Sequence, residues 1–236
     1  VKVTLKRYPY EAAKLLILTK NTRLNVQNEM ELKWSRDRVS KELKYIANTI
    51  PSSWEFIDYT FKVEGVSRAF THQFVRNRHG SYAQESMRVT DQSAYGFVMP
   101  DKIAIDQAGA AVVDSVNYAI QEGYRQLIDL GHAAEDARCI LPTNISTGLY
   151  VKFNLRTLSE LAKSRTGGRT QSEYQKVINA MIDVVLEVHP WASDFLNDDR
   201  GRDYFDELEA FALEAFPDLL ERGKLLKIVD KMRKQS

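Results

Sequence analysis

The segment Phe56–Val63, FIDYTFKV, constrains the fold most, because Ile57, Tyr59, Phe61 and Val63 alternate with Asp58, Thr60 and Lys62. A period of two is the mark of a strand with one face in a core. Ser146–Phe153, STGLYVKF, reads as a second strand, and Val1–Arg7 alternates as a third. The chain between and after them is helical in pattern. Helices are expected over Glu11–Leu18, within Asn25–Thr49 up to Pro51, from Ser67 as a cap to about Arg76, and over Asp101–Leu130 with Gly131 as a stop. Further helices are expected over Ala133–Leu141 before Pro142, Leu155–Lys163 and Thr170–Val188, with a mainly helical tail from Trp191. Strands and helices do not follow one another in regular βα units, so the class is α+β or irregular α/β. A chain of 236 residues without a low-complexity linker reads as one domain over residues 1–236, large enough to bury its own core.

Formal net charge is +1, which gives no global pull toward nucleic acid or an anionic membrane. No run approaches the roughly 18 apolar residues of a membrane helix. The lone cysteine, Cys139, sits beside Ile140 and Leu141 and reads as a small buried side chain. A single cysteine and an N-terminal stretch without a signal-peptide core lead us to expect a cytoplasmic protein. His132 and His189 read as helix-end residues, Trp191 as a packing anchor, and Glu221–Lys234 as an amphipathic surface helix. His72 and His79 bracket a loop but have no third ligand at metal spacing, so no metal is expected.

That loop, from Arg78 to Ala94, carries the chemistry. Between Arg76 and Arg88 three arginines and two serines surround Gly80. Guanidinium forks, hydroxyls and loop amides together suit a phosphorylated ligand, although a solvated basic turn has the same composition.

The spacing Arg76-x-Arg78, then Ser86, with Arg88 beyond, resembles the signature of flavin-dependent thymidylate synthases of the ThyX type, with Asn77 at the signature's histidine. Three other blocks agree in order: Ser52-Ser53-Trp54-Glu55, then Glu135 to Pro142 with Arg138, then Asn154, Arg156, Leu158, Arg165 and Gln171-Ser172-Glu173. The resemblance implies an α/β subunit with a central, mostly antiparallel sheet flanked by helices. It also implies a homotetramer whose active sites are shared between subunits. The implied activity is that of a flavoprotein methyltransferase of nucleotide biosynthesis. It converts dUMP to dTMP with FAD, methylenetetrahydrofolate as carbon donor and NADPH as reductant.

By the same resemblance, dUMP falls to Gln73, Arg76, Gln84, Glu85, Ser86, Met87, Arg88, Arg138 and Arg165, with Arg165 favouring ionisation of the uracil N3. FAD falls to Ser52, Arg76, Asn77, Arg78, Gln84, Asn154, Arg156, Glu160 and Arg169. Departures from the family pattern gather on the flavin and folate side: Ile50, Phe56 and Asn77 replace histidines, Glu160 an asparagine, Arg169 a histidine and Gln84 a glutamate. The altered flavin and folate groups also raise a pyrimidine hydroxymethyltransferase acting on dUMP or dCMP, and Gln84 points to a changed base, because an amide donates where a carboxylate only accepts. The missing histidines raise a nucleotide-binding relative without redox chemistry.

Overall fold

The computed structural model describes residues 1–20, 34–90, 92, 96–167, 170–196, 208, 211 and 219–233. It divides into two compact units, Val1–Asn197 and Asp198–Ser236. In the second, the described helix is α10, Leu219–Arg233, which overlaps the amphipathic run expected there.

The first unit is built on a four-stranded sheet in the order β1-β2-β4-β3, antiparallel throughout. β1 is Lys2–Arg7, β2 Asp58–Ser67, β3 Ser81–Gln84 and β4 Ser146–Asn154. The mixed α/β class and the antiparallel sheet agree with expectation. Tyr59, Phe61 and Val63 of β2 are fully buried, and Phe61 pairs across to Leu5 and to Val151. Gly65, at φ 69°, lies where the β2–β4 register shifts between Val63 and Val66. That left-handed conformation is one that only glycine adopts without strain.

Helices cover one face of the sheet. They are α1 (Ala12–Lys20), α2 (Arg36–Ala47), α3 (Arg68–Phe74), α7 (Leu155–Arg165) and α8 (Ser172–Val188). Leu158 and Leu161 of α7 and Val177, Ile178, Met181 and Val185 of α8 join the strand residues in one apolar cluster. The first part of the helix expected over Asn25–Thr49 lies outside the described residues. Ser67 caps α3 as expected: its hydroxyl accepts from Phe70 N at 3.0 Å.

The region read as one helix from Asp101 to Leu130 is two, α4 (Asp101–Ala104) and α5 (Gln107–Asp129). Asp106 breaks it, because its carboxylate accepts from Ala108 N and starts α5 afresh. Gly131, at φ 89°, closes α5. Its N–H bonds Ile128 O and the N–H of His132 bonds Leu127 O, a Schellman ending. Ala133–Leu141 resolves into the single-turn α6 (Ala134–Ala137) and a 3-10 turn at Arg138–Ile140. That tight turn leaves Cys139 exposed, contrary to the burial expected of it. Pro190–Ala192 is a 3-10 turn leading to α9, Ser193–Leu196. No helix among the described residues is long and apolar enough to cross a membrane.

Candidate nucleotide and flavin site

The arginine–serine loop is anchored at both ends. On the α3 side, Glu173 of α8 accepts from the amide and the hydroxyl of Ser67 at 2.7 and 2.6 Å, fixing the start of the helix that carries Gln73. Gln73 itself is exposed. The chain then turns through Arg76, Asn77 and Arg78. Asn77 Oδ1 accepts from His79 N at 3.2 Å, the side-chain-to-backbone bond that stabilises such turns. Tyr82 donates to Asn77 O at 2.7 Å and lies near Phe74 O at 3.1 Å, tying the turn to the core. Burial raises the pKa of the Tyr82 phenol, so it stays a donor. Gly80 is required here, since a Cβ would come within 2.5 Å of the buried Phe153 ring and 2.7 Å of the Tyr82 hydroxyl.

β3 pairs with β4 and delivers Gln84 opposite Leu149. Gln84 Nε2 donates to Thr71 Oγ1 at 2.8 Å. Thr71 commits its own hydroxyl proton to Arg68 O at 3.1 Å, so its oxygen must accept from the amide. The orientation of Gln84 is thereby fixed, NH2 toward Thr71 and carbonyl oxygen away from it. Next to it, Glu85 exchanges backbone and side-chain bonds with Gly148: Glu85 N to Gly148 O at 3.1 Å, and Gly148 N to Glu85 Oε2 at 3.0 Å. Arg68 donates to Glu85 O at 2.7 Å.

Beyond β3, Ser86 Oγ accepts from Arg88 N at 3.3 Å, and the half-buried Met87 lies between them. Two of the expected phosphate ligands, Arg88 and Arg138, converge on one residue, Glu135. Arg88 donates from Nε and Nη2 to the Glu135 carboxylate at 3.2 and 3.0 Å, and Arg138 Nε donates to Glu135 O at 3.0 Å. Arg76 and Arg78 are exposed, with no ion-pair partner among the described residues. Arg165, at the end of α7, stands 5.2 Å from the ring of Tyr174. Burial raises the Tyr174 pKa and Arg165 works against that rise. Tyr174 packs on Phe70 and Phe74 of α3, so Arg165 is linked through one ring to the helix of Gln73.

A second set of expected ligands lines a cavity of about 240 Å³ formed by Glu55, His79, Asn154, Arg156, Thr157 and Glu160. Asn154 is occupied as the cap of α7, accepting from Thr157 N at 2.8 Å. Arg156 bonds Glu55 through Nη1 at 2.7 Å and Glu160 through Nε at 3.1 Å. Hydrogen bonds to Glu55 first, then Glu160, hold its pKa above the ordinary guanidinium value. Ser52 is exposed on the 3-10 turn Pro51–Phe56 that also carries Glu55. Arg169 lies outside the described residues.

Glu55, Glu135 and Thr71 were not expected as site residues, yet each fixes one that was, and Glu173 fixes Ser67 at the start of the helix that carries Gln73. Glu55, Glu135 and Glu173 stood inside the quoted blocks, but nothing local announced partners such as Arg156, 101 residues away. No cluster of three or more His, Cys, Asp or Glu side chains suits a metal among the described residues.

Residues 6–191 match the family model described as thymidylate synthase complementing protein. The chain belongs to this family. Among similar members of the thymidylate synthase complementing protein family is the flavin-dependent thymidylate synthase of Nitratidesulfovibrio vulgaris. It is 34% identical over 162 residues, which span 64% of this chain and 66% of that protein. That of Geobacter sulfurreducens is 36% identical over 138 residues, 58% of this chain and 60% of the relative. The match therefore spans 66% and 60% of these two relatives' lengths, less than two thirds of each. Among solved structures, ThyX of Helicobacter pylori, complexed with FAD and dUMP, superposes with a TM-score of 0.66 at 20% identity. It covers 84% of this chain and 99% of that one. PolB of Streptomyces cacaoi, a UMP/dUMP methylase bound with 5-Br dUMP, gives 0.69 at 20% identity over 82% and 93%. These two likenesses establish the shared fold.

Proposed function

We propose that this protein is an FAD-dependent thymidylate synthase, carrying out reductive methylation of dUMP to dTMP with methylenetetrahydrofolate and NADPH. One observation carries the nucleotide half: Arg88 and Arg138 both bond Glu135, Arg88 through its carboxylate and Arg138 through its backbone oxygen, so two guanidiniums share one acidic residue. An arriving 5′-phosphate meets a surplus of cations, and a guanidinium fork matches its geometry. Arg165 supplies a fixed positive charge for the uracil ring, favouring the form deprotonated at N3. Tyr174, 5.2 Å away, is the ring against which the guanidinium lies. Gln73, Arg76 and Met87 complete the nucleotide surface, with Gln84 and Glu85 held by Thr71 and Gly148.

FAD, when bound, supplies the hydride that NADPH delivers, while methylenetetrahydrofolate supplies the carbon that replaces the hydrogen at C5 of uracil. The residues present fit the cofactor unevenly. Arg76 and Arg78, with Arg169, are the donors for its pyrophosphate, helped by Asn77, Gln84 and Ser52. Arg156 suits it less, since a phosphate there must displace Glu55 or Glu160. Asn154, Arg156 and Glu160 form a small pocket suited to part of a dinucleotide. A ligand site normally buries most of its ligand, which supports completion of the site by other subunits of a homotetramer. The cytoplasm and a single catalytic domain over residues 1–236 belong to the same reading.

Hydroxymethylation was suggested by the altered flavin and folate groups, and a dCMP substrate by donation from Gln84. The Gln84 amide nitrogen is turned toward Thr71 and its carbonyl oxygen remains an acceptor like the carboxylate it replaces, and the similar relatives are thymidylate synthases, so that reading is not favoured. The test is the absorbance of the purified protein with and without added FAD, then dUMP, together with tritium release from C5-labelled dUMP. A flavin spectrum that responds to dUMP, with tritium release that requires the folate, is expected. Colourless protein that cannot be loaded with FAD overturns the proposal.

A further inference from the structure

A larger cavity, about 570 Å³, lies between α1, α2 and the Pro190–Leu196 segment, and none of the residues assigned to nucleotide or flavin lines it. Its wall is aromatic and apolar: Trp34, Trp191, Tyr10, Val39 and Leu43. It also contains one buried polar group, His189, only 6% exposed. His189 stands at the C-terminal end of α8, as expected. Its ring sits between Tyr8, Tyr59 and Trp191, and burial lowers its pKa, so it is neutral.

The hydrogen-bond pattern fixes the tautomer. Tyr59 is fully buried, its phenol pKa raised by burial, and its hydroxyl lies 3.0 Å from His189 Nδ1. A protonated phenol whose one recorded neighbour is this nitrogen donates to it. Nδ1 then accepts, and Nε2 carries the proton. Among the described residues, Nε2–H has no partner. Tyr59 does not line the cavity and His189 does, so with Nδ1 committed to Tyr59 the Nε2–H is the polar group His189 has to offer there.

The charged residues of the rim balance. Glu11 and Lys14 pair with each other, Lys14 also lies 5.7 Å over Trp34, and Arg36 is matched in number by Asp194. The cavity therefore has no preference for net charge. Flat rings and one inward donor are what remain to select a ligand, in a volume typical of small-molecule sites.

We propose that this cavity binds an uncharged planar heteroaromatic molecule, stacked against Trp34 and Trp191, with a ring nitrogen or carbonyl accepting from Nε2–H of His189. The site is independent of the thymidylate synthase reading.

Two of the three tryptophans line the cavity, so intrinsic emission reports on it. The full chain is titrated with isoquinoline, which has a ring acceptor, and with naphthalene, which has the same shape and none. Saturable quenching is expected from both, with isoquinoline about fivefold tighter, the worth of one ordinary hydrogen bond. Ser40→Phe, an exposed lining position, fills the cavity and is expected to abolish saturable quenching without lowering the melting temperature. His189→Phe, which keeps a ring but has no N–H, is expected to remove the isoquinoline advantage. Quenching that does not saturate, equal affinity for the two probes, or a Ser40→Phe protein that binds like the parent each overturns the proposal.

Discussion

Two surfaces of this protein carry arginines that a sequence reader assigns to anions, and they differ in what those arginines already hold. Around Glu135, Arg88 and Arg138 share one residue, and only Arg88 uses its carboxylate. Around Arg156 the ratio is inverted, with Glu55 and Glu160 both on one guanidinium. A phosphate approaching the first surface meets excess positive charge, and at the second it meets excess negative charge. The energy between unit charges a few ångströms apart is about 4 kcal/mol at the effective dielectric of a protein surface, so the sign of the local excess matters more than the presence of an arginine. Residue type names a possible ligand, and the count of counter-charges decides whether it is free to act.

Arg165 tests this most severely, because its neighbour is a ring and not a carboxylate. Arg165→Ala is expected to lower turnover of dUMP by roughly 100- to 1,000-fold, the usual cost of removing one donor aimed at developing charge. Steady-state tritium release measures it. A loss confined to KM would reduce Arg165 to a binding residue. Next in size, Arg88→Ala is expected to weaken dUMP by on the order of 10- to 100-fold, the loss of a charge-assisted hydrogen bond. Arg156→Ala should leave dUMP within about twofold. Calorimetry on both variants breaks the comparison if the two losses are equal.

A smaller effect separates how the two surfaces are supported. The loop side rests on Gly80, whose missing side chain lets the turn lie against Phe153 and Tyr82. Phe153 is fully buried and cannot swing away. Gly80→Ala is therefore expected to destabilise the fold by about 1–3 kcal/mol, the range for overpacking, read from denaturant midpoints. It should also weaken both dUMP and FAD, since the turn leads into β3 and Arg88 on one side and carries Arg76 and Arg78 on the other.

What was legible beforehand follows from how local each signal is. Alternation gave β1, β2 and β4, because Tyr59, Phe61 and Val63 advertise their buried face within one strand. Ser67 was legible as a cap for the same reason. Its second partner, Glu173, lies 106 residues on, and no spacing rule links them. His189 was legible as a helix end, but its burial and its bond to Tyr59 were not, because Tyr59 lies on another element. Cys139 was misjudged because apolar neighbours suggested a core position, whereas α6 lasts one turn and a 3-10 segment turns the thiol outward. In the site, the contiguous run Gln84–Arg88 could be read directly, while the carboxylates that hold Arg88 and Arg156 became visible only when the chain was folded.

Those carboxylates give the finest test. Glu135→Gln and Glu160→Gln each remove one negative charge while keeping the hydrogen-bonding shape. Both pairs are about half exposed, Arg88 at 65% and Arg156 at 42% of the side chain, so each ion pair is weak in water. The expected gains are correspondingly small, at most about fivefold, and shrink as salt is raised. Their direction is what discriminates. Glu135→Gln should tighten dUMP and leave FAD unchanged, because it frees Arg88 alone. Glu160→Gln should tighten FAD and leave dUMP unchanged, because Arg156 then faces only Glu55 and the excess negative charge is gone. Titrations of each variant with each ligand at two salt concentrations give the four numbers needed. If Glu160→Gln leaves FAD binding as it was, Arg156 plays no part in holding the flavin, and the pocket of Glu55, Asn154 and Glu160 is a structural brace at the start of α7.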